Sequence, residues 1–172
     1  AYFHEVQDYF LESYTSNGNP VTQNNSLNKS DVFRQIVDLQ QDLYKSWKLY
    51  AKVQYDYESV KSSNYDQTLT PKRNLLSFYA AVDGNVCDDL NLRLTLRNDL
   101  VNAKSEGFFP TATLTYKTPF VKGLSVNAGY SHNYRNPTLN DLYWNPGGNE
   151  NLKGENGKTI DLDINYLYEN LN

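Results

Sequence analysis

The strict alternation at Leu90, Leu92, Leu94 and Leu96 constrains this chain more than any other feature. Asn91, Arg93, Thr95 and Arg97 fill the gaps, so the leucines share one face of an extended strand and the polar side chains share the other. A helix would scatter both sets around its circumference. The same period returns in Leu124, Val126, Ala128 and Tyr130 against Ser125, Asn127, Gly129 and Ser131. It returns again in Ile160, Leu162, Ile164 and Tyr166 against Thr159, Asp161, Asp163 and Asn165. Leu49, Ala51, Val53, Tyr55 and Tyr57 alternate with Tyr50, Lys52, Gln54 and Asp56. Shorter patterns mark Tyr2 to Tyr14, Asn74 to Val82 and Phe109 to Tyr116 as strands. Phe33 to Leu43 admits two readings. Ser30-Asp31 can cap a helix there, but a strand completes a hairpin with Leu49 to Tyr57, and we adopt the strand.

The fold expected is therefore all-β, an antiparallel up-and-down meander of about eight strands. Asn/Ser/Gly-rich stretches at Thr15 to Ser30, Ser59 to Arg73 and 135–157 read as long loops. Short turns are expected near Ser46, at Asp83-Gly84-Asn85 and at Pro119 to Gly123, with Ala103 to Gly107 as a shorter turn on the long-loop side. Long and short connections thus alternate. Outer-membrane barrels show that parity, with short periplasmic turns and longer extracellular loops. The mean hydropathy of −0.70 does not oppose this, because a membrane barrel faces lipid with only every second residue. We expect residues 1–172 to be a single segment of a transmembrane β-barrel, cut from a longer protein. A net charge of −4 offers no electrostatic footprint for nucleic acid. Cys87, the one cysteine, has no partner within the chain for a disulfide.

The crossing between the last two strands carries three ordered signatures. Tyr134-Arg135-Asn136-Pro137 is followed by Thr138-Leu139-Asn140-Asp141-Leu142-Tyr143-Trp144, then by Gly148-Asn149-Glu150-Asn151-Leu152-Lys153-Gly154-Glu155. It resembles the motif shared by many TonB-dependent outer-membrane receptors. In those, a strand ends in Phe-Arg-Ala-Pro, continues as Ser/Thr-Leu-x-Glu-Leu-Tyr and returns through Gly-Asn-Pro-x-Leu-Lys-Pro-Glu. The matching positions are Arg135, Pro137, Leu139, Leu142, Tyr143, Gly148, Asn149, Leu152, Lys153 and Glu155. Asp141 stands where Glu is usual, and Glu150 and Gly154 replace two prolines, which leaves the return path less rigid.

The resemblance implies a barrel of about 22 strands with a plugged lumen. It implies import of a large scarce nutrient: a siderophore-iron complex, haem, cobalamin or an oligosaccharide. It also implies contact with outer-membrane lipid in a Gram-negative bacterium, and energy from a TonB complex engaged through an N-terminal region that this segment lacks. An isolated segment would expose two sheet edges and invite edge-to-edge self-association.

Arg93, Arg97, Arg135, Asp161 and Asp163 fall on the polar face, hence toward a lumen. They either line a ligand path, or touch a plug, or form a solvated and mutually paired wall. We expect Arg135 to pair with Asp161 or Asp163 across the hairpin. Tyr143 and Trp144 are candidate ligand contacts; packing of the loop on itself or an interfacial aromatic girdle are the alternatives. No catalytic constellation, cofactor motif or metal-ligand spacing is apparent in the sequence, and we expect no catalysis. Two other functions have distinct signatures. A secreted or surface β-sandwich that binds carbohydrate would pack its apolar faces together. An outer-membrane enzyme would place His132 beside a nucleophilic serine.

Overall fold

The computed structural model describes residues 2–14, 20–66 and 68–167. They form one eight-stranded sheet in which the strands lie in chain order. The strands are β1 (Tyr2–Tyr14), β2 (Pro20–Asp42), β3 (Lys48–Ser62), β4 (Lys72–Cys87), β5 (Leu90–Val101), β6 (Lys104–Lys117), β7 (Leu124–Arg135) and β8 (Glu155–Tyr166). A five-residue helix, α1 (Leu139–Tyr143), sits in the last crossing. The antiparallel meander is as expected, and the ambiguous stretch is strand from Phe33 to Asp42, with Leu43 opening the turn.

Two compact units are distinguished: 1–35, 55–75 and 136–153 form the first, and 36–54, 76–135 and 154–172 the second. In the second, register turns the alternation into continuous rows. Leu92 pairs with Leu114, Leu114 with Ala128, and Ala128 with Leu162. The next row on the opposite face runs Arg93, Thr113, Gly129, Asp161. A slip of one residue would exchange the faces, so the apolar row itself fixes the register. Nothing among the described residues covers the apolar face: Leu94 is 43% exposed and Leu162 71%. A sandwich would have buried that face under a second sheet, and the described strands form only one.

Four expected boundaries shift. Thr15 to Ser30 is not one long loop, because β2 begins at Pro20 and its polar residues pair with β1 from Gln23↔Glu12 to Ser30↔Glu5; residues 15–19 lie outside the described ones. Backbone pairing satisfies this stretch whatever its side chains, which composition alone did not reveal. The Asp83-Gly84-Asn85 turn falls inside β4, and the chain reverses at Asp88-Asp89 instead. A Cβ at Gly84 would run into the Trp47 ring, so this glycine serves close packing within a strand. The turn after β5 is Asn102-Ala103, not Ala103 to Gly107; both residues have positive φ (48° and 68°), as a tight two-residue hairpin demands. The crossing expected at 59–73 narrows to 63–71, because β3 and β4 extend into it. Long-against-short parity is therefore weaker than the sequence implies, surviving at 63–71 and 136–154.

Candidate functional site

In the first unit, the segments 63–71 and 136–153 are tied together by side chains. Thr138 caps α1: its hydroxyl accepts from the Asp141 N–H at 3.1 Å, while the Asp141 carboxylate accepts from the Thr138 N–H at 2.7 Å. This capping box is written in the sequence as Thr138-x-x-Asp141, and it identifies a helix that alternation could not. Leu139 is buried beneath it. Gly148 is required next, because a Cβ there would approach the Trp144 nitrogen to 2.5 Å. Asn149 donates its N–H to the Asp141 carbonyl at 3.0 Å, and its side chain accepts from the Asn151 N–H at 3.0 Å. Those bonds give Gly148 and Asn149 of the motif a structural reason.

The crossing does not hold its position alone. Arg73 donates from Nε and Nη2 to Glu58 at 2.9 and 2.6 Å, and from Nη1 to the Pro137 carbonyl at 2.5 Å. Tyr65 is 3% exposed; its hydroxyl bonds the Asn140 side chain, and its ring lies 6.3 Å from that of Tyr143. Burial pushes the Tyr65 phenol above its ordinary pKa. The Asn145 N–H reaches the Asn64 carbonyl at 2.8 Å. Nearby, Asp66 is held below the usual carboxylate range by hydrogen bonds from the Thr68 backbone and hydroxyl. Arg34 clasps buried Asp56 through Nε and Nη2 at 2.7 and 2.9 Å.

The second unit presents a polar hollow of about 700 Å³ lined by Asp38, Tyr50, Lys52, Tyr79, Arg93 and Arg97, among others. Arg93 stands over the Tyr50 ring at 5.6 Å, donates to the Tyr79 hydroxyl at 3.2 Å and lies 3.5 Å from Asp83. Lys52 pairs with Asp38 at 3.4 Å. Arg97 covers one ring, Phe109, at 5.3 Å, donates to the Tyr134 carbonyl at 3.1 Å and approaches Asp99 at 3.2 Å. Tyr134 stacks on Phe109 at 4.9 Å and donates to Glu106 at 2.7 Å. A Cβ at position 154 would collide with the Tyr134 ring, so Gly154, which stands at a motif proline, makes room for it. His132 packs edge-on to Phe109 at 5.4 Å.

The expected Arg135 partner is corrected. Register sets Arg135 opposite Glu155, and the two charges stand 3.7 Å apart. Asp161 and Asp163 face Gly129 and Asn127 instead, six and eight positions back along β7. The hairpin begins directly at Arg135, which counting side-chain faces could not establish. Trp144 is 40% exposed and Tyr143 half-buried against Tyr65. Leu152 and Lys153 are exposed. Sequence reasoning did not single out Glu58, Tyr65, Arg73, Glu106 or Phe109, whose partners lie far off in the chain.

Comparison with known proteins agrees with this geometry. The family described as "TonB dependent receptor-like, beta-barrel" matches residues 1–172. The crystal structure of the siderophore receptor PirA from Pseudomonas aeruginosa superposes with a TM-score of 0.73 at 15% identity, over 98% of this chain. This chain spans 36% of that receptor. No curated protein matches the sequence. With the whole sequence matched and an unbroken antiparallel meander beneath it, the chain belongs to the TonB-dependent receptor-like β-barrel family.

Proposed function

We propose that this chain is part of the wall of an outer-membrane receptor that actively imports a large, scarce nutrient in a Gram-negative bacterium. The energy comes through a TonB complex that engages another part of the protein. The observation that carries the reading is the family match over residues 1–172. The two-faced sheet supports it. The row Leu92, Leu114, Ala128, Leu162 serves as lipid contact, and Arg93, Arg97, Arg135, Asp161 and Asp163 stand on the lumen side. A lipid-side arginine at mid-bilayer costs roughly 2–4 kcal/mol, so segregation of this kind has a physical reason. Among siderophore-iron, haem, cobalamin and oligosaccharide, the first is favoured by the likeness to a siderophore receptor. Tyr143 and Trp144 are the proposed aromatic contacts.

The test is deletion of the intact gene. Receptor-dependent uptake is measured with iron-55 as ferric hydroxamate and ferric catecholate complexes, with haem, with cobalamin and with a labelled oligosaccharide. The reading expects loss of uptake of one of these, restored by the gene and dependent on TonB. Uptake of all of them unchanged by the deletion would refute it.

A further inference from the structure

The side-chain ties between 63–71 and 136–153 have a functional consequence, which rests on the receptor reading above. Four contacts join the two segments or their roots: Arg73 to the Pro137 carbonyl, Tyr65 to Asn140, the Tyr65 ring to the Tyr143 ring, and Asn145 to the Asn64 carbonyl. They are spaced along the crossing at 137, 140, 143 and 145, from its entry through the whole of α1. α1 is five residues long, too short to be stable by itself. Its sequence-local support is the capping box; its orientation comes from the other segment.

We propose that 63–71 and 136–153 act as one ligand-facing body, in which Tyr65 and Arg73 are positioning residues that fix where Tyr143 and Trp144 meet the ligand. The chemistry favours a fixed body over two independent loops. The Arg73 side chain is 12% exposed and Glu58 20%, so neither solvent nor salt screens their bond effectively. All three Arg73 donors that face this cluster are engaged, and the third reaches a main-chain carbonyl. A lysine offers one point charge there and cannot hold Glu58 and Pro137 together in the same fork. The Tyr65 ring is buried, and its hydroxyl satisfies the Asn140 side chain. Aromatic position in the crossing is thus set by a segment some 75 residues earlier in the chain. Ligand preference in this chain depends on 63–71 even if no residue of 63–71 touches the ligand.

The experiment uses the intact receptor and has two arms. In the first, amide hydrogen exchange is followed in the wild type and in Tyr65→Phe, Tyr65→Ala, Arg73→Lys and Glu155→Ala. The first three variants should speed exchange within 138–152, by up to about tenfold for Tyr65→Phe, the size of one lost hydrogen bond. Amides of 90–117 should be unchanged, as should every amide of the crossing in Glu155→Ala. Conversely, uncapping α1 with Asp141→Ala should speed exchange at 63–66. Unchanged exchange at 138–152 in Tyr65→Ala and Arg73→Lys would overturn the proposal. In the second arm, uptake of iron-55 is measured with ferric hydroxamate and ferric catecholate probes. A raised KM with an unchanged maximal rate is expected in Tyr65→Ala, with most of the loss recovered in Tyr65→Phe. An unaltered KM in Tyr65→Ala would contradict the positioning role. A wild-type receptor that takes up neither iron probe defeats the siderophore-iron choice instead, and the exchange arm then decides this proposal by itself.

Discussion

The strands from β5 to β8 and the tied segments 63–71 and 136–153 are held by different physics. In β5 to β8 the ladder does the work: each strand is bonded to the next along its length, and side chains choose only which face looks where. In the tied segments the backbone is mostly irregular, and a few long-range side chains choose the conformation. The lesson concerns tolerance. A wall made of backbone bonds accepts many side chains so long as polarity alternates, whereas a tied segment depends on particular groups such as Arg73 and Tyr65.

The sharpest way to break this contrast is within the first unit. Arg34→Ala removes the guanidinium that clasps Asp56, a carboxylate 4% exposed. The Arg34 side chain is 38% exposed, so water screens part of the pair, and we expect a loss of roughly 2–4 kcal/mol, short of that for a fully buried ion pair. Urea unfolding of the intact protein, followed by electrophoretic heat-modifiability, would measure it. The wall offers a paired test next. Leu94→Arg should destabilise the membrane-inserted protein by about 2–4 kcal/mol, and its neighbour Thr95→Arg, on the other face, by much less. Equal effects would remove the two-faced wall from the account. Smaller again is Tyr134→Phe, which deletes the bond to Glu106 and keeps the stack on Phe109. About 1 kcal/mol is expected in the same unfolding assay.

A pH titration sharpens the contrast without any mutation. The Tyr65 phenol is raised by burial, so the folded state favours its neutral form. Its contribution is complete below the unfolded tyrosine value near ~10 and is lost as pH rises through the higher folded value. Amide exchange at 138–152 should therefore quicken above about pH 10 before exchange in 90–117 does. The weakest effect belongs to Arg135→Ala. Its partner Glu155 is 3.7 Å away and both side chains are more than half exposed, so less than about 1 kcal/mol should be lost.

Legibility followed the same division. Leu90 to Leu96, Leu124 to Tyr130 and Ile160 to Tyr166 were readable because period 2 is a local signal that the ladder preserves. Asp83-Gly84-Asn85 misled because its turn composition is outweighed by Trp47 packing on Gly84, a contact between residues 37 positions apart. The motif located the crossing correctly, and Thr138-x-x-Asp141 held the sign of α1. The Arg135 pairing failed for a different reason. Face counting says which residues share a side, but only the hairpin register says which of them meet, and Glu155 lies nearest the start of β8. Arg73 and Tyr65 left no sequence trace, since a single arginine or tyrosine in a polar loop carries no pattern that names a partner 64 or 75 residues on.

The central claim is that one face of this sheet meets lipid and the other meets a water-filled or protein-filled lumen. The most direct measurement is a cysteine scan of the intact receptor in outer membranes, in a Cys87→Ser background, from Leu90 through Arg97. Each cysteine is spin-labelled, and its accessibility to oxygen and to a water-soluble relaxation agent is read. The account predicts strict alternation, with oxygen favoured at 90, 92, 94 and 96 and the oxygen signal falling at 91, 93, 95 and 97. Uniform accessibility along the strand, or even positions shielded from lipid by packed protein, would contradict it.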